Sequence, residues 1–245
     1  MTALLDARHA ASPTPLHAGL WRADTLSVSA QSVLASGYAA LDAVLPGGGW
    51  PVGALCELLQ PPGQHSEWRL LVPALAHSGS GAVVLVGPLL TPFGPALAAQ
   101  GVVAQRLVWL RFEAHQMRDR LWAAEQALRC AEVDAVLLWL PGPPLGAQAA
   151  QLRRLHLAAV QHGVLFFTLR ESSASAQASA AVLRLAVGLH TEQGAHSRDR
   201  LLVEVLKRRG PPVGAPVSLQ ARAGAMAAVL AAGGAHAVGG TAHTG

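Results

Sequence analysis

Four short apolar runs occupy the centre of this 245-residue chain: AVVLV at Ala82–Val86, RLVWLR at 106–111, AVLLWL at 135–140 and VLFFTL at 164–169. A strand with one wet face alternates apolar and polar residues. Runs without that alternation belong to strands covered on both faces, as in parallel sheets. Helical stretches separate them: 94–100, closed by Gly101; 114–131, with Met117, Leu121, Ala124 and Leu128 on one face; and 147–162. Glu125 and Arg129 stand four apart in the order that supports a helix. The alternation predicts an α/β fold on a mostly parallel sheet flanked by helices.

The flanks read differently. Residues 1–20 have no period and suggest a flexible leader. Residues 38–45 place Leu41, Val44 and Leu45 on one helical face, before the glycine-proline break at 46–51. A strand over 54–59, a turn at Pro61-Pro62-Gly63 and a helix over 67–77 follow, the helix in spite of Pro73. After 171 comes a small polar loop, then two alternating stretches, 182–189 and 201–206, around a hairpin loop; these predict antiparallel strands closing the sheet. The main domain is expected over 21–210. Residues 211–245, rich in Ala, Gly and Pro, are expected to be disordered alone, with 219–232 able to become helical on a partner.

Composition excludes several classes. With 51% hydrophobic and 13% charged residues the chain is not wholly disordered. It contains no run of about 18 apolar residues that would span a bilayer. The N-terminus, with Asp6 and only a weak apolar stretch, does not resemble a secretory signal. Two cysteines, Cys56 and Cys130, support neither a disulfide framework nor a zinc motif, and a cytoplasmic setting is expected. Residues 1–150 carry 8 basic and 10 acidic side chains, whereas 151–245 carry 10 and 4. Seventeen of the 18 basic residues are arginine, so coding bias explains the excess as well as a surface for acidic partners or phosphates does. Arg198, Arg200, Lys207, Arg208 and Arg209 are the candidates for a docking element on a partner's acidic surface.

The residues Ser36-Gly37, Leu41-Asp42, Leu45, Gly47-Gly48-Gly49-Trp50-Pro51, Gly53 and Glu57 resemble, at unchanged spacing, the segment of the RecA family that leads into the phosphate loop. LWRAD at 20–24, LPGGGWPVGAL at 45–55, LWAAEQALR at 121–129, VLLWLP at 136–141 and EVLKRRGPP at 204–212 make the chain similar to bacterial ImuA proteins, a RecA-like, SOS-associated group often labelled with the division inhibitor SulA. The resemblance implies a RecA-like sheet and, for the chemistry, a departure. A working phosphate loop is G-x4-G-K-[ST], whose backbone N–H groups, lysine and hydroxyl hold the phosphates and Mg²⁺. Here Gln60 replaces the first glycine, His65 the second, Ser66 the lysine and Glu67 the hydroxyl residue, leaving Gly63 in an ordinary turn. The family's catalytic glutamate would fall near Leu89 and its metal-holding aspartate near Trp139.

The expectation is therefore a protein that is not an enzyme, with no cofactor and no metal. The resemblance implies an adaptor in error-prone translesion synthesis, with an ImuB-type Y-family polymerase homologue and an error-prone C-family polymerase alpha subunit as partners. The alternative is a SulA-like inhibitor of cell division acting on FtsZ; an active ATP-dependent recombinase is disfavoured by the lost loop. In the RecA family the loops after the third and fourth central strands bind single-stranded DNA. Here, at 141–146 and 171–180, they are short and lack basic or aromatic residues beyond their first positions, so any DNA contact is expected to be weak or indirect. His156 and His162 are expected to be solvated. Trp68, Trp109, Trp122 and Trp139 are expected to act as core or interface anchors rather than base-stacking platforms.

Overall fold

A computed structural model describes residues 32–113, 115–141, 148–191 and 199–220. The leader, most of the loop at 141–146, Arg198 and residues 221–245 lie outside the described residues. In chain order the elements are β1 (Val33–Leu34), α1 (Ala39–Asp42), β2 (Trp50–Pro51), β3 (Leu55–Gln60), α2 (Glu67–Leu75), β4 (Ala82–Val86), α3 (Gly94–Ala98), β5 (Leu107–Leu110), α4 (Met117–Leu128), β6 (Val133–Trp139), α5 (Gln148–His162), β7 (Leu165–Glu171), β8 (Leu183–Thr191), β9 (Asp199–Lys207) and β10 (Val217–Gln220).

Eight strands form one sheet in the order β10-β9-β8-β3-β7-β6-β4-β5, and β1 pairs with β2 in a separate antiparallel ladder. From β8 to β5 every pairing is parallel; β9 and β10 are antiparallel. This is the mostly parallel sheet with C-terminal antiparallel strands that the apolar runs and the late alternation predict. Both faces of the central strands are covered. Val83, Leu85, Ala135, Leu137 and Phe167 join Leu70, Leu71, Leu75 and Leu97 of α2 and α3 on one side. Val84, Val86, Val136, Leu138 and Phe166 join Leu121, Leu128, Leu152 and Leu155 of α4 and α5 on the other. The face expected on the fourth helix is the buried one, with Leu121, Ala124 and Leu128 at 5% exposure or less. Its Glu125 pairs with Arg129 at 2.7 Å, and also with Arg154 of α5.

The lead-in segment is shaped by close backbone crossings. A Cβ on Gly49 would lie 2.4 Å from the carbonyl oxygen of Leu34, so only glycine lets β1 cross there. Gly53 sits at φ +70° against the backbone of Ala159 and Gly163. Pro73 cannot donate to the carbonyl four residues earlier, that of Arg69. The Tyr38 hydroxyl donates to that oxygen instead, at 2.5 Å, which leaves α2 intact through its proline.

Two expectations are corrected. The stretch from 211 onward contains β10, which pairs with β9 over Val217–Gln220 and whose Leu219 is 3% exposed and packs beside α1. Four residues with two apolar positions carry too little period to be seen; the edge of β9 supplies the pairing. His156 is half-buried, not solvated: its Nδ1 accepts the backbone N–H of Leu55 at 3.1 Å and so anchors α5 to the start of β3.

Burial, with the positive charges of Arg209 and Lys207, holds the His156 pKa below its ordinary value. The unfolded chain therefore takes up a proton at a higher pH than the folded one, so stability falls as pH drops below about 6.5 through the lowered folded pKa. His156→Gln removes this titration. Thermal melts of both proteins from pH 7.5 to 5 should show the wild-type advantage at pH 7.5 shrinking toward pH 5.

Candidate functional site

The positions assigned by resemblance converge at the C-terminal end of β3 and β6. Gln60, Gly63, His65, Leu89 and Trp139 line one cleft of ≈ 70 Å³, together with Pro61, Pro141 and Arg170. Ser66 and Glu67 lie buried at the start of α2. Leu89 is 55% exposed at the rim, and Trp139 is 3% exposed inside. Gly63 turns at φ +75° into open space.

The cradle is closed by its own side chains. Gln60 Oε1 accepts the Ser66 backbone N–H at 2.6 Å, engaging an amide of the kind that holds a phosphate in a working loop. Gln60 Nε2 donates to Glu67 Oε2 at 3.0 Å, and Trp139 Nε1 donates to Glu67 Oε1 at 3.3 Å. His65 Nδ1 stands 3.8 Å from Glu67 Oε1. Glu67, 2% exposed, occupies the first turn of α2, where a negative charge suits the helix N-terminus. Its carboxylate is therefore held inside by two donors. Trp68 packs against Trp139 with ring centroids 6.0 Å apart and the ring planes tilted by 33°. A buried carboxylate repels phosphate, and ≈ 70 Å³ falls well below the ~300–1,000 Å³ of ordinary ligand pockets.

Beside this cleft lies a constellation that sequence reasoning missed except for Glu57. That side chain is 0% exposed in β3, and its carboxylate accepts from Arg170 Nη1 of β7 at 2.6 Å and from Arg184 Nε of β8 at 2.5 Å. Arg184 also donates to the carbonyls of Ala174, Ser175 and Gln177, and Arg170 Nη2 donates to Gln177 Oε1. The loop after β7, the 3-10 turn Ser172–Ala176 included, is thereby pinned to the sheet. Two arginines flanking a polar loop, each inside an apolar strand, are the signal that would have found it. The carboxylate between two guanidinium groups leaves one positive charge over, which the loop carbonyls that accept from Arg184 help to offset; any of the three charges buried alone would be costly.

Among the described residues the basic candidates do not form one patch. Arg200 begins β9 opposite His190, and Lys207 ends it opposite Arg184, about 24 Å away at ~3.4 Å per residue. Lys207 Nζ donates to Ser179 O at 2.9 Å, and Arg208 donates to the carbonyls of Val44 and Pro211. These side chains tie the end of β9 to neighbouring loops. Of the other tryptophans, Trp68 packs against the core on the α2 face, as does Trp109, whereas Trp122 on α4 is 61% exposed. Among the described residues no three His, Cys, Asp or Glu side chains come together to hold a metal, and no helix is long and apolar enough to cross a membrane.

No protein-family model and no curated protein matches the sequence. Among solved structures, the crystal structure of the RadB recombinase is similar to this chain with a TM-score of 0.60 at 15% identity, covering 76% of this chain and 95% of that one. At that identity the likeness defines the fold, which is RecA-like.

Removing the central charge tests the arginine pair. Glu57→Gln should lower unfolding stability by about 3–5 kcal/mol in urea titration, because two buried guanidinium groups then lose their counter-ion.

Proposed function

We propose that this protein is a non-enzymatic RecA-like accessory subunit of damage-induced, error-prone translesion DNA synthesis, the role implied by its resemblance to the ImuA family. The observation that supports it best is the self-closed cradle, in which Gln60 binds the Ser66 amide and Glu67 lies buried between Gln60 and Trp139. A subunit of this kind uses the RecA-like scaffold for assembly and not for phosphoryl transfer. Its proposed partners are an ImuB-type Y-family polymerase homologue and an error-prone C-family polymerase alpha subunit. The pinned loop after β7 fits indirect or weak contact with DNA, since its carbonyls and side chains are already engaged with Arg170 and Arg184.

Millimolar ATP with Mg²⁺ should leave the melting temperature unmoved, whereas a ligand at 100 times its Kd would add about 2.7 kcal/mol. Gln60→Gly with His65→Gly, Ser66→Lys and Glu67→Thr should restore weak binding at most, with no turnover, because Leu89 and Trp139 supply no carboxylate. A Mg²⁺-dependent ATPase rate above background in the unmodified protein overturns the reading.

Tagged protein recovered from cells after DNA damage should carry the two polymerase subunits. Recovery of FtsZ without any polymerase subunit overturns the adaptor and favours the division-inhibitor role.

A further inference from the structure

An apolar groove of ≈ 790 Å³ runs between α1, α2, the segment around α3 and β10. Val72, Leu97 and Leu219 form its buried floor, with Trp68 and Tyr38 beside them. Phe93 stands on its far wall at 71% exposure, covered by no described residue. A volume of this order is that of an occupied binding cleft, and a large aromatic left open on its wall marks an unfilled contact.

We propose that residues 221–232 of the same chain fold back as a short helix and seat Met226, Val229 and Leu230 in this groove. Continuity favours this occupant. Gln220, the last described residue, itself lines the groove, so the chain leaves from the groove's own wall. The segment is ARAGAMAAVLAA, and Met226, Val229 and Leu230 recur at the i, i+3, i+4 spacing of one helical face. Alanine, the strongest helix former, fills the positions between, and Gly233-Gly234 ends the pattern. A helix this short is marginal in water and needs an apolar surface to form against. The segment carries Arg222 as its one charge and no acid, so docking buries no carboxylate. Tethering at Gln220 makes the encounter intramolecular, which raises the effective concentration without further contacts. The docked helix would rest on Trp68, whose ring packs at a tilt against the Trp139 that closes the cradle.

The full-length chain tests this in a Cys130→Ser background, with Cys56 fully buried. Phe93→Cys combined with Leu230→Cys should form an intramolecular disulfide about tenfold faster than Phe93→Cys combined with Val238→Cys, which lies beyond the glycine pair. In the chain with native cysteines, Leu230→Asp should raise hydrogen exchange in peptides covering 89–100 and in those covering 221–232 together. Equal disulfide rates, or exchange unchanged around Phe93, overturn the proposal. Disulfides that form between chains, at a rate rising with protein concentration, also overturn it and assign the groove to a second copy.

Discussion

Glu57 is the charge around which the sheet is organised. It sits in β3, bonded to Arg170 on one neighbouring strand and Arg184 on the other, and none of its surface reaches solvent. A carboxylate stripped of water is tolerable only with compensating donors, and two guanidinium groups supply them across both ladders of the strand. The arrangement demands that β7, β3 and β8 lie side by side in one register, with Glu57 opposite Thr168 and Arg184. It also reaches outward, because the remaining Arg184 donors hold the carbonyls of the loop after β7. One buried carboxylate thus links the central parallel strands, the start of the antiparallel extension and a loop at the edge of the cleft.

The cleft is closed by the side chains of its own loop and helix start. In this RecA-like fold the strand, turn and helix N-terminus that form a phosphate cradle are all present. Gln60 lies at the end of β3 and engages the amide of Ser66, and the first helical residue is an acid tied to Gln60 and Trp139. Each substitution supports the others: Gln60 satisfies both an amide and a carboxylate, and Trp139 supplies an N–H and a packing surface for Trp68. Buried polar groups that satisfy one another make a stable plug, whereas an isolated glutamate at that position would be costly. The proposed accessory role follows from this closure, since a scaffold with an occupied cradle has its surfaces left for partners.

Charge and chain ends illustrate the limits of reading in one dimension. Arg200 and Lys207 are close in sequence, yet they mark opposite ends of β9, and the residues after Lys207 bind carbonyls of nearby loops. An extended strand separates what a helix would cluster. The stretch at 211–220 has no period of its own, but two residues of it, Val217 and Leu219, pack against the core once β9 offers an edge.

By itself the sequence determined the buried strand runs at 82–86, 135–140 and 164–169, the half-buried edge strand within 106–111, and the apolar face of α4, because strands and helices buried on fixed faces must write their period into the residues. Through the resemblance it also pointed to Gln60, His65, Ser66 and Glu67 as one group, and these residues do meet at one cleft and the helix start beside it. Tertiary structure alone decided which way Glu67 points, which arginines neutralise Glu57, that Tyr38 repairs the helix bond lost at Pro73, and that His156 receives the Leu55 amide. Those contacts join residues 31 to 127 positions apart. No local period encodes them, because a hydrogen bond between distant segments depends on where the packed sheet and helices bring each donor and acceptor.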